Sequence, residues 1–312
     1  LKSKAFFQKK GGYLVKYVLQ IEVAVIGGDS RQIAVAQNLT NLVTKVKVYG
    51  HPQDQLDAPI VFCDTLPEAL NGAQVIILPI SGMSASGLVR GKTVDESIAF
   101  GDYFRALPEG TIVIVGSMTP NWKQLAANNR LIVYEYAEDN TIAILNSIPT
   151  AEGAVQIAME QLPITIHGSK TLVIGFGRVG VTVARTFKAL GSEVTVAARR
   201  EELLARAAEM GCKTVKHSEL GAVFGEVDLI INTVPQLVID RQLLQLMTDE
   251  ALIIDLASPP GGTDFEAAKE LQRLAILAPG LPGKVAPKTA GAILASAIPE
   301  IMLKLLRDGG GL

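Results

Sequence analysis

"KTLVIGFGRVG" (residues 170–180) decides the fold. An apolar run breaks at Gly175, and Gly177 and Gly180 complete a G-x-G-x-x-G before "VTVARTFKALG" (181–191), a helical pattern closed by Gly191. A strand that ends in such a turn and opens a helix is the dinucleotide fingerprint of a βαβ unit: Gly175 permits the tight turn, Gly177 lets backbone approach a pyrophosphate, and Gly180 lets helix and strand pack closely. The pyrophosphate belongs at the helix N-terminus, where unpaired N–H groups and the helix dipole favour an anion. Gly175, Phe176, Gly177, Arg178, Val179 and Gly180 are the cofactor-binding residues this predicts.

The next apolar run, "SEVTVAA" (192–198), ends in Ala198-Arg199-Arg200, where a cofactor with a free ribose 2′-hydroxyl would meet Asp or Glu. A guanidinium pairs with a 2′-phosphate and a carboxylate repels one. NADP is therefore expected ahead of NAD. The alternative makes Arg199 and Arg200 solvated charges at a helix start, with Glu201 on the ribose. Asn232, Thr233 and Pro235 in "INTVPQ" (231–236) end another strand on the cofactor side and are expected at the nicotinamide ribose.

Working outward, short apolar runs alternate with helical patterns throughout: 22–27, 45–50, 73–79, 111–116 and 131–135, then 170–175, 192–198, 212–216, 227–233, 251–256 and 274–280. Near-continuous apolar strands are what a parallel sheet buried on both faces demands. The reading is α/β, with two doubly wound parallel-sheet domains, the second of them the Rossmann dinucleotide-binding domain. Its expected division is an N-terminal extension (1–20), a substrate-side domain (21–149), the NADP-binding domain with a linking helix (150–291), and a C-terminal helix (292–312). Thr150 is the expected N-cap of the linking helix, and Pro299 is expected to kink or break the last one. That last helix is expected to return to the first domain.

A chain of 312 residues with net charge −2 and pI near 6.0 shows no polybasic footprint, so neither nucleic acid nor a membrane surface is an expected partner. No apolar segment reads as long enough to span a bilayer, and the first twenty residues lack a signal-peptide core, so a cytoplasmic address is expected. Cys63 and Cys212, far apart and in no CxxC or Cys/His cluster, read as buried apolar residues, and no metal site is expected.

"AVIGGDSRQ" (24–32) looks like a second glycine turn but lacks the third spaced glycine, and Asp29 stands where a pyrophosphate would be repelled. Asp29 or Ser30 reads as a helix N-cap. Arg31, a cation in the first helical turn, is badly placed for the dipole and suggests a hold on a substrate carboxylate. Ser81 in "LPISGMSASG" (78–87), with Gly82, Ser84 and Ser86, lies in a polar loop at a strand's C-terminal end, where open sheets bind ligands. Of the histidines, His167 reads as structural, and His51 and His217 as loop residues.

"AVIGGDSRQ", "NSIPTAEG" (146–153), "IHGSKTLVIGFGRVG" (166–180), "DLASPPGGTDF" (255–265) and "APGLPGKVAPKTAG" (278–291), in this order, resemble the dipicolinate synthase A-subunit family of spore-forming bacteria. The resemblance implies oxidation of a dihydrodipicolinate-type intermediate off the lysine pathway to pyridine-2,6-dicarboxylate, with NADP as hydride acceptor. It also implies a place in the mother cell during sporulation and a partner, the flavoprotein-like B subunit. Self-association into a homo-oligomer is a further expectation. The architecture is also similar to D-2-hydroxyacid dehydrogenases, but Lys288 stands where those carry a histidine and Pro260 where they carry an arginine, which argues against hydroxy-acid oxidation. Lys288 becomes the first choice for a carboxylate clamp or, if desolvated, a base. Glu152, expected in the first turn of the linking helix, completes the candidate catalytic set of Lys288, Glu152, Arg31 and Ser81. Two other readings remain open: a nucleotide-binding scaffold whose partner does the chemistry, and an alanine- or hydroxy-acid-dehydrogenase relative.

Overall fold

The computed structural model describes residues 18–52, 59–91 and 97–309; most of the N-terminal extension and the last three residues lie outside them. Contacts divide the chain into two compact units. One runs to Ile142 and resumes at Pro287, and the other is Ala143–Ala286.

In the first unit the strands are β1 (Leu19–Ile26), β2 (Val43–Tyr49), β3 (Ile60–Phe62), β4 (Val75–Ile77), β5 (Leu88–Val89), β6 (Ile98–Ala99), β7 (Ile112–Val115) and β8 (Ile132–Glu135). Six of them form a parallel sheet in the order β3-β2-β1-β4-β7-β8, and β5 and β6 make a separate antiparallel pair. Helices α1 (Ser30–Leu39), α2 (Leu66–Leu70), α3 (Gly101–Phe104) and α4 (Pro120–Asn128) connect them, and α5 (Asn140–Gln161) carries the chain into the second unit. That unit holds β9 (Lys170–Ile174), β10 (Glu193–Ala198), β11 (Lys213–Lys216), β12 (Leu229–Asn232), β13 (Leu252–Asp255) and β14 (Leu274–Leu277), with α6 (Arg178–Ala189), α7 (Glu201–Glu209), α8 (Arg241–Leu246), α9 (Phe265–Glu270) and α10 (Leu281–Val285). Its parallel sheet runs β11-β10-β9-β12-β13-β14.

With the β5-β6 pair set aside, both sheets have the strand order 3-2-1-4-5-6 of a doubly wound fold, reversing direction beside the first strand. The sequence-based α/β reading is borne out. Central strands β4, β7, β12 and β13 are buried along their whole length, as a sheet covered on both faces requires. On α6, Gly180, Val183, Ala184 and Phe187 recur at helical spacing on its buried face. Short β3, β5 and β6 leave no signal in the sequence, because two or three residues give no period to read.

The helix around Pro149 departs from expectation. Thr150 is not an N-cap. The helix begins ten residues earlier, where Asp139 Oδ1 accepts the Ile142 N–H at 3.0 Å, and Pro149 sits inside it. Thr150 Oγ1 donates to the Asn146 carbonyl at 2.8 Å, one turn back. Glu152 therefore lies in mid-helix, exposed, with no dipole to favour it.

The last helix, α11 (Pro287–Asp308), also starts earlier than expected, with Pro287 at its first position, and runs unbroken through Pro299. Proline in a helix interior costs ~3 kcal/mol. Leu294, Ile298, Ile301 and Met302 lie buried in the first unit's core on both sides of it, and at roughly 1.5–3 kcal/mol per buried side chain they outweigh that cost. α11 packs against α1, so the return of the C-terminal helix to the first domain is borne out. By length and composition alone α11 would suffice to cross a membrane, which corrects the expectation that no segment reaches that length. Cys63 and Cys212 are free and buried, and burial pushes both thiols up in pKa.

Candidate dinucleotide-binding site

Each sheet delivers one glycine turn to the start of a helix at the C-terminal end of its first strand. The two turns differ in what already fills them.

In the second unit Gly175 has φ +93°, and a β-carbon there would lie 2.4 Å from Thr233 Oγ1. One on Gly180 would lie 2.1 Å from the Gly175 carbonyl oxygen. Both glycines are thus required by the protein's own packing. Gly177 is not. A β-carbon there would meet nothing within 4 Å, and the residue is extended, with φ −92° and ψ −156°. Gly177 is the N-cap of α6 and brings no side chain to cap it. The space that a capping side chain would take is therefore open to an external anion at the helix N-terminus.

A cavity of about 490 Å³ opens in front of this turn. Its wall includes Gly175, Phe176, Gly177, Arg178 and Val179 from the turn, Arg199 and Arg200 from the end of β10, and Thr233 and Pro235 after β12. Gly180 lies behind the turn, against the Gly175 carbonyl. Asn232 does not line the cavity. It is fully buried, its side-chain amide donating to the Val234 carbonyl and to Asp255 Oδ1, both at 3.0 Å, so its part is to shape the strand ends.

Among the described residues, three arginines line the cavity and no carboxylate does. Arg200 pairs with Glu202 at 3.1 Å, both exposed, while Arg199 has no ion-pair partner among the described residues. Glu201, the alternative ribose ligand, is outside the cavity and pairs with Lys216 at 2.7 Å.

Two features of this end of the sheet lie beyond the sequence reading. His217 follows β11 at the start of a 3₁₀ turn and lines the cavity, rather than lying on an ordinary loop. Asp255, fully buried at the end of β13, accepts from Asn232 Nδ2, the Ala257 N–H, the Gly262 N–H and the Thr263 hydroxyl at 2.7–3.0 Å, and so ties down the 256–263 loop. A strand ending in Asp before "ASPPGG" is the signal that could have pointed to it.

In the first unit Gly27 and Gly28 have φ +62° and +93°. The place of an anion is already taken. The Gly28 N–H donates to the Arg90 carbonyl at 2.6 Å, and the chain beside β5 and β6 covers Gly27. Asp29 is the N-cap of α1, accepting the Arg31 N–H at 3.0 Å. The Arg31 guanidinium reaches back to the same carboxylate through Nε at 2.8 Å and a terminal nitrogen at 2.6 Å. Burial raises the Asp29 pKa, but the Arg31 guanidinium and N–H outweigh it and hold the carboxyl below its usual range. Arg31 is thus engaged inside the turn. Behind it, fully buried Gln32 donates to Tyr136 Oη at 3.1 Å, which donates to the Leu78 carbonyl at 2.9 Å. Burial pushes the Tyr136 pKa far above its usual value. His51 is buried, its Nε2 within 2.7 Å of the Gly27 carbonyl oxygen.

Lys288 is exposed in the first turn of α11. One turn on, Gly291 packs against α1, where a β-carbon would stand 3.5 Å from Arg31 Cα. Lys288 and the Asp29–Arg31 pair therefore share one end of the first unit. Ser81 is exposed in the turn after β4 of the same unit, and Ser84 and Ser86 hydrogen-bond to each other at 2.9 Å. Glu152 belongs to the second unit. His167 is exposed.

A doubly wound unit with an open, uncapped G-x-G-x-x-G turn defines an NAD(P)-dependent oxidoreductase. Residues 148–260 match the family model of the D-isomer specific 2-hydroxyacid dehydrogenase NAD-binding domain, and residues 22–137 that of the dipicolinate synthase A-subunit N-terminal domain. The chain is 38% identical to the dipicolinate synthase A-subunit of Bacillus subtilis over 93% of its own length and 98% of that protein's. The crystal structure of the dipicolinate synthase A-subunit from Bacillus halodurans matches with a TM-score of 0.85 at 39% identity, covering 91% of this chain and 98% of that one. The crystal structure of the Bacillus subtilis protein matches with 0.83 at 38%, covering 94% and 99%. The chain belongs to the dipicolinate synthase A-subunit family.

Proposed function

We propose that this chain oxidises a dihydrodipicolinate-type intermediate to pyridine-2,6-dicarboxylate with NADP as the hydride acceptor. The observation that carries the cofactor choice is a cavity with three arginines and, among the described residues, no carboxylate, in front of a helix whose N-cap residue brings no side chain. The family supports the substrate.

In the reaction the dihydropyridine ring loses a hydride from carbon and a proton, and becomes aromatic, so the protein's task is mainly to position the ring. When bound, the nicotinamide supplies the hydride acceptor. The N–H groups at the start of α6 hold the pyrophosphate, and Arg199, without a competing carboxylate, holds the 2′-phosphate. Lys288, exposed at the start of α11, binds a substrate carboxylate. Arg31, tied to Asp29, stiffens that end of the first unit, and Ser81 offers a hydroxyl donor there. Nothing in the surroundings of Glu152 assigns it a step.

The alternative is a scaffold that binds nucleotide while a flavoprotein-like partner does the chemistry. Purified chain is mixed with NADP and enzymatically generated dihydrodipicolinate. NADPH absorbance should grow without the partner; growth only on its addition would favour the scaffold. The family name supports a second subunit and a role in sporulation; the flavoprotein-like character of that subunit and the mother-cell cytoplasm as the site of action belong to the same proposal. Turnover of alanine or a 2-hydroxy acid instead would overturn the substrate assignment.

A further inference from the structure

His217 stands at the C-terminal end of β11, which pairs with β10, the strand that delivers Arg199 and Arg200 to the cavity. His217 forms part of the same wall. Its Nε2 is closed off from solvent and has no hydrogen-bond partner among the described residues, although buried polar atoms are ordinarily paired. The fold thus gives this residue a place in the cavity wall and leaves its Nε2 unpaired among the described residues.

We propose that His217 is a specificity residue for the 2′-phosphate of NADP: the phosphate docks on Arg199 and draws a proton onto the neighbouring imidazole. Binding of NADP, but not of NAD, then takes up a proton. This rests on the reading of the cavity as an NADP site and adds to it a residue and a pH dependence.

The charges around the ring support this. Burial, and after it the Arg199 charge, lower the His217 pKa and so favour the neutral ring in the free protein. From β10 and α7 come Arg199, Arg200 paired with Glu202, and Glu201 paired with Lys216. The glycine turn contributes Arg178 to the cavity wall, and the ring's own segment carries Lys216 and Glu219. The following 3₁₀ turn carries Glu226, and α8 carries Arg241, which pairs with Glu270. Among the described residues no carboxylate lines the cavity, so a docking anion is the charge that reverses the preference for the neutral ring. By linkage, NADP affinity falls by up to about tenfold per pH unit between the free and bound pKa values of the ring. The phosphate's own second ionisation, near pH ~6, acts in the opposite sense and is left behind by working above it.

The test is calorimetric titration of NADP and NAD in buffers of different ionisation enthalpy near neutral pH, with the full chain and with His217→Asn. The expected result is proton uptake with NADP, none with NAD, loss of the uptake in the variant and an unchanged affinity for NAD. Uptake that persists in the variant, or that is the same with NAD, overturns the proposal. Should the variant fail to fold, imidazole NMR of the wild-type chain replaces it, because the sequence holds only 3 histidines. The His217 signal must move to its protonated position at constant pH with adenosine 2′,5′-bisphosphate and stay in place with 5′-AMP; a signal that does not move overturns the proposal. NADP binding no tighter than NAD at any pH defeats the cofactor reading itself. NADP binding tighter by a margin that pH and the variant leave unchanged defeats only the role of His217.

Discussion

Gly177→Asp should strengthen the fold and abolish cofactor binding together. Gly177 and Asp29 are both N-caps in extended conformation, with φ/ψ of −92°/−156° and −121°/−164°, so the backbone at 177 already suits a capping carboxylate. A side chain there meets no protein atom within 4 Å of its β-carbon. An aspartate that caps α6 in place of glycine adds a few tenths to about 1 kcal/mol, which raises Tm by a few degrees, at roughly 2–4 °C per kcal/mol for a domain of this size. The same carboxylate fills the pyrophosphate's place. Loss of two hydrogen bonds to a charged group, at ~1.5–3 kcal/mol each, removes about 3–6 kcal/mol. Repulsion between unit charges some 4 Å apart near the surface, at an effective dielectric constant of about 20, adds up to ~4 kcal/mol. The dinucleotide Kd should rise by at least ~100-fold. NADPH fluorescence titration and thermal melting of the same samples read both effects. A variant that binds NADPH like the wild type would refute the assignment of the anion to this helix end, and one that melts lower would refute the open N-cap.

Arg199→Ala should weaken NADP by about 10–100-fold and NAD by less than twofold, from the loss of one charge-assisted pair; Arg200→Ala should have the smaller effect, because Arg200 is already paired with Glu202. Equal losses for the two cofactors would place the 2′-phosphate elsewhere. Asp29→Asn keeps a capping side chain but removes the charge that Arg31 holds, and should lower stability by about 1 kcal/mol at neutral pH. The Asp29 pKa is lowered in the fold, so its contribution is complete above the ordinary carboxylate value of ~3.9 and is lost as pH falls through the lower folded value. The gap between variant and wild type, followed by denaturant titration, should close in acid, and a constant gap would exclude the ion pair as its cause. Lys288→Met should raise KM for the dicarboxylate by about tenfold or more, as expected for one lost charge-assisted contact; an unchanged KM would remove Lys288 from the site.

The two sheets are open to sequence reading because the central strands are apolar throughout, a pattern only doubly covered strands produce. The glycine turn at 175–180 is readable because Gly175 and Gly180 each have a steric cause and Gly177 keeps the anion's place clear. Thr150 reads locally as an N-cap and Pro299 as a kink or break, yet both lie inside helices of 22 residues, because tertiary burial along the helix outweighs a local cost. His217 and Asp255 escape such a reading because their roles come from neighbours on adjacent strands, which periodicity along one segment does not report. Arg31 stands out in the sequence as an odd cation at a helix start, but its partner two residues away, Asp29, reads there only as the cap.

The two units carry the same strand order and the same strand-turn-helix at the point where that order reverses, so topology alone offers two anion sites. One is closed from within: Asp29 supplies the anion for α1, and the Arg90 carbonyl takes the Gly28 N–H. The other is left open: Gly177, the N-cap of α6, brings no side chain, and a β-carbon there would meet nothing within 4 Å. A helix N-terminus attracts anions by its unpaired donors, and a protein can satisfy those donors itself or leave them to a ligand. The sequence difference that separates the two outcomes is small, a carboxylate against a hydrogen atom at the N-cap. The capped turn gains stability and a rigid end for the first unit, beside which Lys288 stands exposed. The uncapped turn gives up that stability and recovers it only when a dinucleotide binds, which is why thermal stabilisation by NADP should be large in the wild-type chain and absent in Gly177→Asp.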